Sequence, residues 1–330
     1  MPCMGERLLR LVGVLMMVGA AMLALSQAPD LPVHGLVTRW GLPPSDFIDL
    51  RGQLVHLRDE GPREDPLPLV LLHGTADSLH TWEGWVRALK GRRRVIRLDL
   101  PGFGLTGPYT GQYAAGDYSG DAYARFLVNL LDALNIQRAV LVGHSLGGEV
   151  AWRTALFAPQ RVAALVLVDA SGLAGDHEPA GLKLARLPVL GHALEWILPR
   201  GLVEASLAEA YGDPAKVTPE LVERYFQLTL RDGNRGALIR RLRAAAPGAD
   251  AERLPTLKQP TLILWGERDR LIPPAVGRQF QERIAGSHLV VLDGLGHLPQ
   301  QEDPAASVKP LQDFLAAAAI APAAAASAPP

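Results

Sequence analysis

The sequence predicts an α/β fold built on a mainly parallel sheet, and three observations carry that prediction. PLVLLHG (68–74), RVIRLDL (94–100), RAVLVGH (138–144) and VAALVLVDA (162–170) are short, continuously apolar and bounded by turn residues, the pattern of strands buried on both faces. Segments with helical spacing lie between them, at Leu79 to Lys90, Ala122 to Leu134 and Leu146 to Phe157. Two further strands, TLILWGE (261–267) and HLVVLDG (288–294), flank a helix at Pro274 to Ile284. Strands alternating with helices imply crossover connections and parallel pairing.

Taken in order, the chain opens with Arg7 and Arg10 ahead of LVGVLMMVGAAMLAL, fifteen mostly apolar residues from Leu11 to Leu25. A basic flank, a short apolar run and the small residues Ala24 and Ser26 read as an export signal; counting Leu8 and Leu9 makes a retained membrane anchor the alternative. Residues 1–27 are therefore a signal peptide or anchor, and 28–44 a Pro-rich connector. FIDLRGQLVHLRDEG alternates apolar and polar residues around Arg51-Gly52, an antiparallel hairpin. The α/β core covers 45–171 and 249–315. Between them, 172–248 carries helix-like, proline-punctuated stretches and reads as an insertion outside the sheet, with extra core helices as the alternative. The tail, 316–330, is low-complexity; its prolines stop any helix and predict disorder beyond Ile320.

Composition excludes several functions. With 33 basic and 34 acidic residues among 330, the net charge is -1 and no electrostatic footprint for nucleic acid exists. The single cysteine, Cys3, rules out an internal disulfide, a thiolate metal cluster and a cysteine nucleophile in the core. The nine histidines show no HxxxH or HxH spacing, so neither a metal nor another cofactor is expected.

The chemistry concentrates in GHSLGG (143–148), which matches G-x-S-x-G at a strand-to-helix junction. The small Gly143 and Gly147 leave room for a sharp turn that lifts Ser145 above the sheet, and the helix N-terminus places the Leu146 N–H where an oxyanion would form. The pentapeptide alone fits an N-cap serine after a Gly turn equally well. Its context favours the nucleophile: His73-Gly74 ends another strand, and the following Thr75 N–H, or that of Ala76, offers a second oxyanion donor. A serine nucleophile needs a base and a carboxylate to orient it. Asp269, in WGERDRLIP, and His297, in GLGHLPQQEDP, each lie just beyond a strand at the sheet edge where such sites form.

Other residues carry plainer expectations. Glu267 competes for the acid role from within a strand, and Asp169, ending VAALVLVDA, is a reserve acid. Asp99 reads as a buried loop anchor, and His73 and His144 as loop-holding residues. The basic runs at Arg92 to Arg94 and at Arg240, Arg241 and Arg243 read as solvated faces. Trp82, Trp85 and Trp152 have core spacing.

LLHGTADSLHTW, DLPGFGLTG, GHSLGG, WGERD and GLGHLPQQEDP together resemble the landmarks of the α/β-hydrolase superfamily, in its order and across residues 68–303. The resemblance implies an eight-stranded, mostly parallel sheet and makes 172–248 a helical cap. It implies Ser145 as nucleophile, Asp269 as acid, His297 as base, and Thr75 and Leu146 as oxyanion donors. HGTADS departs from the HGGG-type loop of many lipases, which leaves the second donor open between Thr75 and Ala76. The expected activity is carboxylic ester hydrolysis of a hydrophobic small molecule through an acyl-enzyme. C–C bond hydrolysis, lactone hydrolysis and perhydrolysis by the same residues are alternatives, as is a noncatalytic binding protein of this fold. Leu187, Leu194, Trp196, Ile197, Tyr225 and Phe226 are candidates to line the pocket or pack the cap. Membrane association is expected only through the N-terminal apolar segment.

Overall fold

The computed structural model describes residues 28–174 and 196–318, with Gly13 and Met17 in the N-terminal segment. Strands β1 (Asp46–Leu50) and β2 (Gln53–Glu60) form the predicted hairpin, and its two turn residues, Arg51 and Gly52, have φ of 58° and 86°. Positive φ at both positions matches the right-handed twist of the paired strands. Six strands follow: β3 (Leu69–Leu72), β4 (Val95–Leu98), β5 (Ala139–His144), β6 (Val162–Val168), β7 (Thr261–Gly266) and β8 (His288–Leu292). They join in one eight-stranded sheet of order β1-β2-β4-β3-β5-β6-β7-β8, antiparallel from β1 to β4 and parallel thereafter.

Period-2 side-chain alternation divides the core into two layers. Val70, Leu72, Ile96, Leu98, Leu141, Leu165 and Trp265 point to one face, where they meet Phe126, Trp152 and Phe280. Leu69, Leu71, Val95, Val140, Val142, Val166 and Leu264 point to the other and meet Trp82, Trp85 and Leu311. The predicted tryptophans are thus core residues, each with no exposed surface. The central strands need apolar residues at every position because both of their faces are covered.

The first layer belongs to helices Gly120–Ala133, Leu146–Phe157 and Pro274–Arg283; the second to Glu83–Leu89 and Pro304–Ala317. In chain order the α-helices are α1 (Val33–Trp40), α2 (Glu83–Leu89), α3 (Gly120–Ala133), α4 (Leu146–Phe157), α5 (Arg200–Ala210), α6 (Pro219–Thr229), α7 (Asn234–Ala244), α8 (Pro274–Arg283), α9 (Pro299–Glu302) and α10 (Pro304–Ala317). Capping sets several starts: Ser119, Thr218 and Asp303 accept the N–H three residues on, from Ala122, Leu221 and Ala306. Among the described residues of 172–248 there is no sheet strand; Arg231 forms an isolated parallel bridge with Leu31.

The connector contains a helix: α1 packs Leu36 against Leu105 and Leu228, while Leu31 pairs with Leu230 and Asp232 through backbone bonds of 2.7 and 2.9 Å. Two expectations need correction. The segment expected to be one helix from Leu79 to Lys90 begins with a tight 3₁₀ turn at Leu79–Trp82. Arg93 and Arg241 are buried, not solvated: Arg93 Nε donates to Asp65 at 2.7 Å, and Arg241 donates to Glu149 at 2.5 Å, tying α7 to α4. Periodicity could not reveal these pairs, because each carboxylate partner is distant in sequence.

No helix among the described residues is long and apolar enough to cross a membrane. The N-terminal apolar run, except for Gly13 and Met17, lies outside those residues, as does the tail beyond 318.

Asp99 is the anchor the sequence predicts. It has no exposed surface; Oδ1 accepts from Leu79 N at 2.7 Å, and Oδ2 accepts from Leu105 N at 2.7 Å and faces His56 Nδ1 at 2.6 Å. Burial by itself would push this carboxyl up, but the facing His56, His73 and His80 outweigh it and hold the carboxyl well below its usual range. Its stabilisation is therefore full above the unfolded carboxylate value and is lost as pH falls toward the folded one. Asp99→Asn should lower stability at pH 7 by about 3 kcal/mol, with a smaller deficit in acid; urea unfolding at several pH values measures both.

Candidate active site

The site begins where β5 runs into α4. Ser145 has φ 51° and ψ -116°, a conformation that non-glycine residues rarely adopt. The surrounding backbone fixes it. Ser145 N donates to Val168 O at 3.0 Å, and Ser145 O accepts from Gly148, Glu149 and Ser171 N–H groups at 2.9 to 3.1 Å. A Cβ on Gly143 would overlap the Gly147 carbonyl, and one on Gly147 would overlap the Leu72 carbonyl. The two glycines are therefore what lets the strand, the helix and neighbouring β3 come this close. Ser145 retains 9 % exposure, so the hydroxyl sits in a nearly closed site.

Loop 73–76 passes directly over the turn. A Cβ on Gly74 would lie 3.1 Å from Ser145 Cβ and 2.8 Å from His144 Nδ1. Thr75 and Ala76 follow, half-buried, with Ala76 at φ 57°. Leu146 is the first residue of α4, so its N–H has no acceptor within the helix. The loop and the helix N-terminus thus flank Ser145 from two sides.

Asp269 and His297 are brought together as their strand-end positions require. His297 Nδ1 lies 2.7 Å from Asp269 Oδ2, with Asp269 buried. Asp269 Oδ1 accepts from Leu271 N at 2.8 Å and Ile272 N at 2.9 Å, which aims the carboxylate. Glu267, the competitor, is exposed and bonds the Gly294 N–H instead. The backbone of His297 is held at both ends: its N–H donates to Ala210 O at 2.7 Å, and its carbonyl accepts from His144 Nε2 at 2.7 Å. Donation to a carbonyl requires a hydrogen on His144 Nε2. Burial, and the facing His297, push His144 well below the usual histidine range, so it remains neutral. It braces His297, its ring centroid 4.8 Å from that of His297. His73 holds its loop similarly, donating from Nδ1 to Gly74 O at 2.7 Å while Nε2 accepts from Leu100 N at 2.9 Å.

Several residues around the site were not singled out in the sequence. Glu302, buried on α9, accepts from Gly296 N at 2.8 Å and from Gly212 N and Asp213 N at 2.9 Å, pinning the histidine loop to the end of α5. Gln301 donates to Tyr225 Oη at 2.7 Å and to Asp77 Oδ2 at 3.3 Å, linking α6 to the loop after Ala76. The signal was present in QQED, polar residues too close behind His297 to be an ordinary surface helix. Asp169 lies beside Asp269. Ligand-type atoms of Asp169, Asp269 and His297 fall within 4.8 Å of one another, but the 2.7 Å contact between two of them is a hydrogen bond, not a metal-bridged spacing.

Of the pocket candidates, Leu187 and Leu194 lie outside the described residues. Tyr225 is buried and packs with Leu207, Val222 and Leu298, whereas Trp196 is 67 % exposed. Phe226 lines an outer cleft of about 550 Å³ with Ala28, Leu31 and Leu230. A small cavity of about 10 Å³ beside Ala76 is lined by Asp77, Phe103, Leu228, Asn234 and Leu238.

The profile of the alpha/beta hydrolase fold matches residues 68–304, the span that holds β3 through α9 and every residue of this site. The chain belongs to the α/β-hydrolase family. A 2-hydroxymuconate semialdehyde hydrolase of Pseudomonas sp. strain CF600 is 31% identical over 276 residues, covering 81% of this chain and 92% of that one. Among solved structures, the fold is similar to the meta-cleavage product hydrolase CumD of Pseudomonas fluorescens IP01, at 26% identity and TM-score 0.70, over 83% of this chain and 98% of that one. It is likewise similar to a thermophilic esterase from Thermogutta terrifontis, at 25% identity and TM-score 0.68, over 83% and 99%. The chain is a hydrolase of this fold.

The glycine packing has a measurable consequence. Gly147→Ala must separate α4 from β3 or distort the turn, so it should destabilise the protein by about 2 kcal/mol in thermal or urea unfolding. An unchanged midpoint would show that the Leu72 carbonyl does not confine the turn.

Proposed function

We propose that the protein hydrolyses carboxylic esters through an acyl-enzyme on Ser145. The observation that carries the reading is the His297 Nδ1 to Asp269 Oδ2 bond of 2.7 Å, made by a histidine whose carbonyl is held by His144, the residue before a serine at φ 51°. With Nδ1 engaged by Asp269, Nε2 is the ring nitrogen left to accept the Ser145 hydroxyl proton. Oγ then attacks the ester carbonyl, and the Leu146 and Thr75 N–H groups receive the oxyanion, each such donor contributing about 3 kcal/mol. His297 returns the proton to the departing alcohol. A water activated by the same nitrogen releases the acid.

In this proposal α5, α6 and α7 act as a cap. Its support is the attachment of α5 to the His297 loop through Ala210 and of α6 to Asp77 through Tyr225 and Gln301. C–C bond cleavage by the same residues is the second reading, favoured by the names of two of the relatives. Residues 1–27 are proposed to export or anchor the enzyme, supported by their basic flank and apolar run.

A fluorophosphonate probe should label the purified protein, and Ser145→Ala should abolish labelling. No labelling of folded protein would sink the nucleophile. The enzyme should turn over p-nitrophenyl acyl esters and leave a ring-cleavage diketone untouched; the reverse preference would establish the second reading. Asp269→Asn should lower kcat about 10³- to 10⁴-fold at neutral pH, by loss of the carboxylate that orients His297.

A further inference from the structure

Asp169 follows β6 by one residue, at φ 43° and with no exposed surface. Two bonds to the adjacent strand fix it. Its N–H donates to Leu264 O at 2.9 Å, and its Oδ1 accepts from Gly266 N at 2.8 Å. The other oxygen, Oδ2, is buried and meets no donor among the described residues. The side chain that Asp169 faces is Asp269, itself in contact with His297. A positive-φ residue with an orphaned carboxyl oxygen beside a second carboxylate is unfavourable unless something joins the two.

Two carboxylates cannot both be ionised in a dry space they share, so one proton must sit between them. The donors decide where it resides. Asp269 is met by three, the Leu271 and Ile272 amides and His297, whereas Asp169 is met by the Gly266 amide alone. Negative charge is therefore better solvated on Asp269. We propose that Asp169 is the protonated member of this buried carboxyl pair, that its Oδ2–H donates to Asp269, and that it is a positioning residue for His297. Burial and the facing Asp269 both push the Asp169 carboxyl well above its usual range, the same direction.

The orphaned oxygen then becomes a donor, and the strained backbone of Asp169 is what delivers it. A neutral donor on Asp269 draws charge from that carboxylate and so limits how strongly His297 holds a proton. His144, whose ring lies 4.8 Å from that of His297, is neutral, and Glu267, Arg268 and Arg270, which flank Asp269 in sequence, are exposed. The consequence for catalysis rests on the ester-hydrolase reading, whereas the proton on Asp169 does not.

Infrared difference spectroscopy of the full chain at pH 7, wild type against Asp169→Asn, tests the proton directly. Loss of one protonated-carboxyl C=O band is expected; loss of a carboxylate band would overturn the proposal. Asp77, the other buried carboxyl pushed up by its surroundings, is common to both samples and cancels. A second measurement uses the same pair of proteins. With [4-¹³C]aspartate labelling, a carboxyl resonance present in wild type and missing from Asp169→Asn should keep its protonated shift from about pH 5 to about pH 8, and its absence would overturn the proposal. The positioning role is read from the acid limb of kcat/KM for a p-nitrophenyl ester. Asp169→Ala, which removes the donor, should move the limb up by about half a pH unit, and Asp169→Asn, which keeps an N–H donor, should restore it. A downward shift in Asp169→Asn would mean that an anion had been removed. Lower activity with an unmoved limb in Asp169→Ala would mean a merely structural role. Either result overturns the proposal, whereas the infrared band without any esterase activity would retain the proton and sink the ester reading alone.

Discussion

The Gly147 backbone rests against the Leu72 carbonyl so closely that no side chain fits between them. That contact lets α4 start on top of β3, and it confines Ser145 to a conformation that a freer chain would leave. The sheet provides the anvil: β5 lies between β3 and β6, and Ser145 N is tied to Val168 O on the latter. Because both faces of these strands are buried, relaxation would have to disturb the core. The rigidity of the parallel sheet is thus what maintains a strained residue at its edge.

The histidine side is held by a different means, a chain of buried hydrogen bonds. Glu302 collects three amides from two loops, and His144 and Ala210 take the two ends of the His297 peptide backbone. Each of these polar groups would be expensive to bury alone, and each is satisfied by a partner from a different segment. The helices of 200–244 provide one of the acceptors that fix His297, the Ala210 carbonyl. The connector joins them through Leu31 and through Asp30, which pairs with Arg235 at 2.6 Å.

Strand periodicity, turn residues and the order of three strand-end motifs were enough to read the sheet and to place Ser145, Asp269 and His297 at one edge. These are local signals: apolar runs mark buried strands whatever surrounds them, and Gly143 and Gly147 mark a close approach. Partnerships across the chain were not legible. Arg241 sits in a basic run, and nothing local pairs it with Glu149, 92 residues away. Asp169 was recognised as a carboxylate at a strand end, but its contact with Asp269 depends on β6 and β7 being neighbours. The helix within the connector has no local signature, because its apolar residues pack on Leu105 and Leu228, remote in sequence. Contacts between distant segments were the part that composition and spacing do not encode.

The central claim is that Ser145 carries the acyl group. Rapid mixing of the enzyme with a p-nitrophenyl ester, followed by acid quench and peptide mass spectrometry, tests it most directly. The account predicts a burst of p-nitrophenolate equal to the enzyme concentration and an acyl adduct on the peptide containing Ser145. Ester turnover with an adduct on another residue, or with neither burst nor adduct under conditions that trap acyl-enzymes, would contradict it.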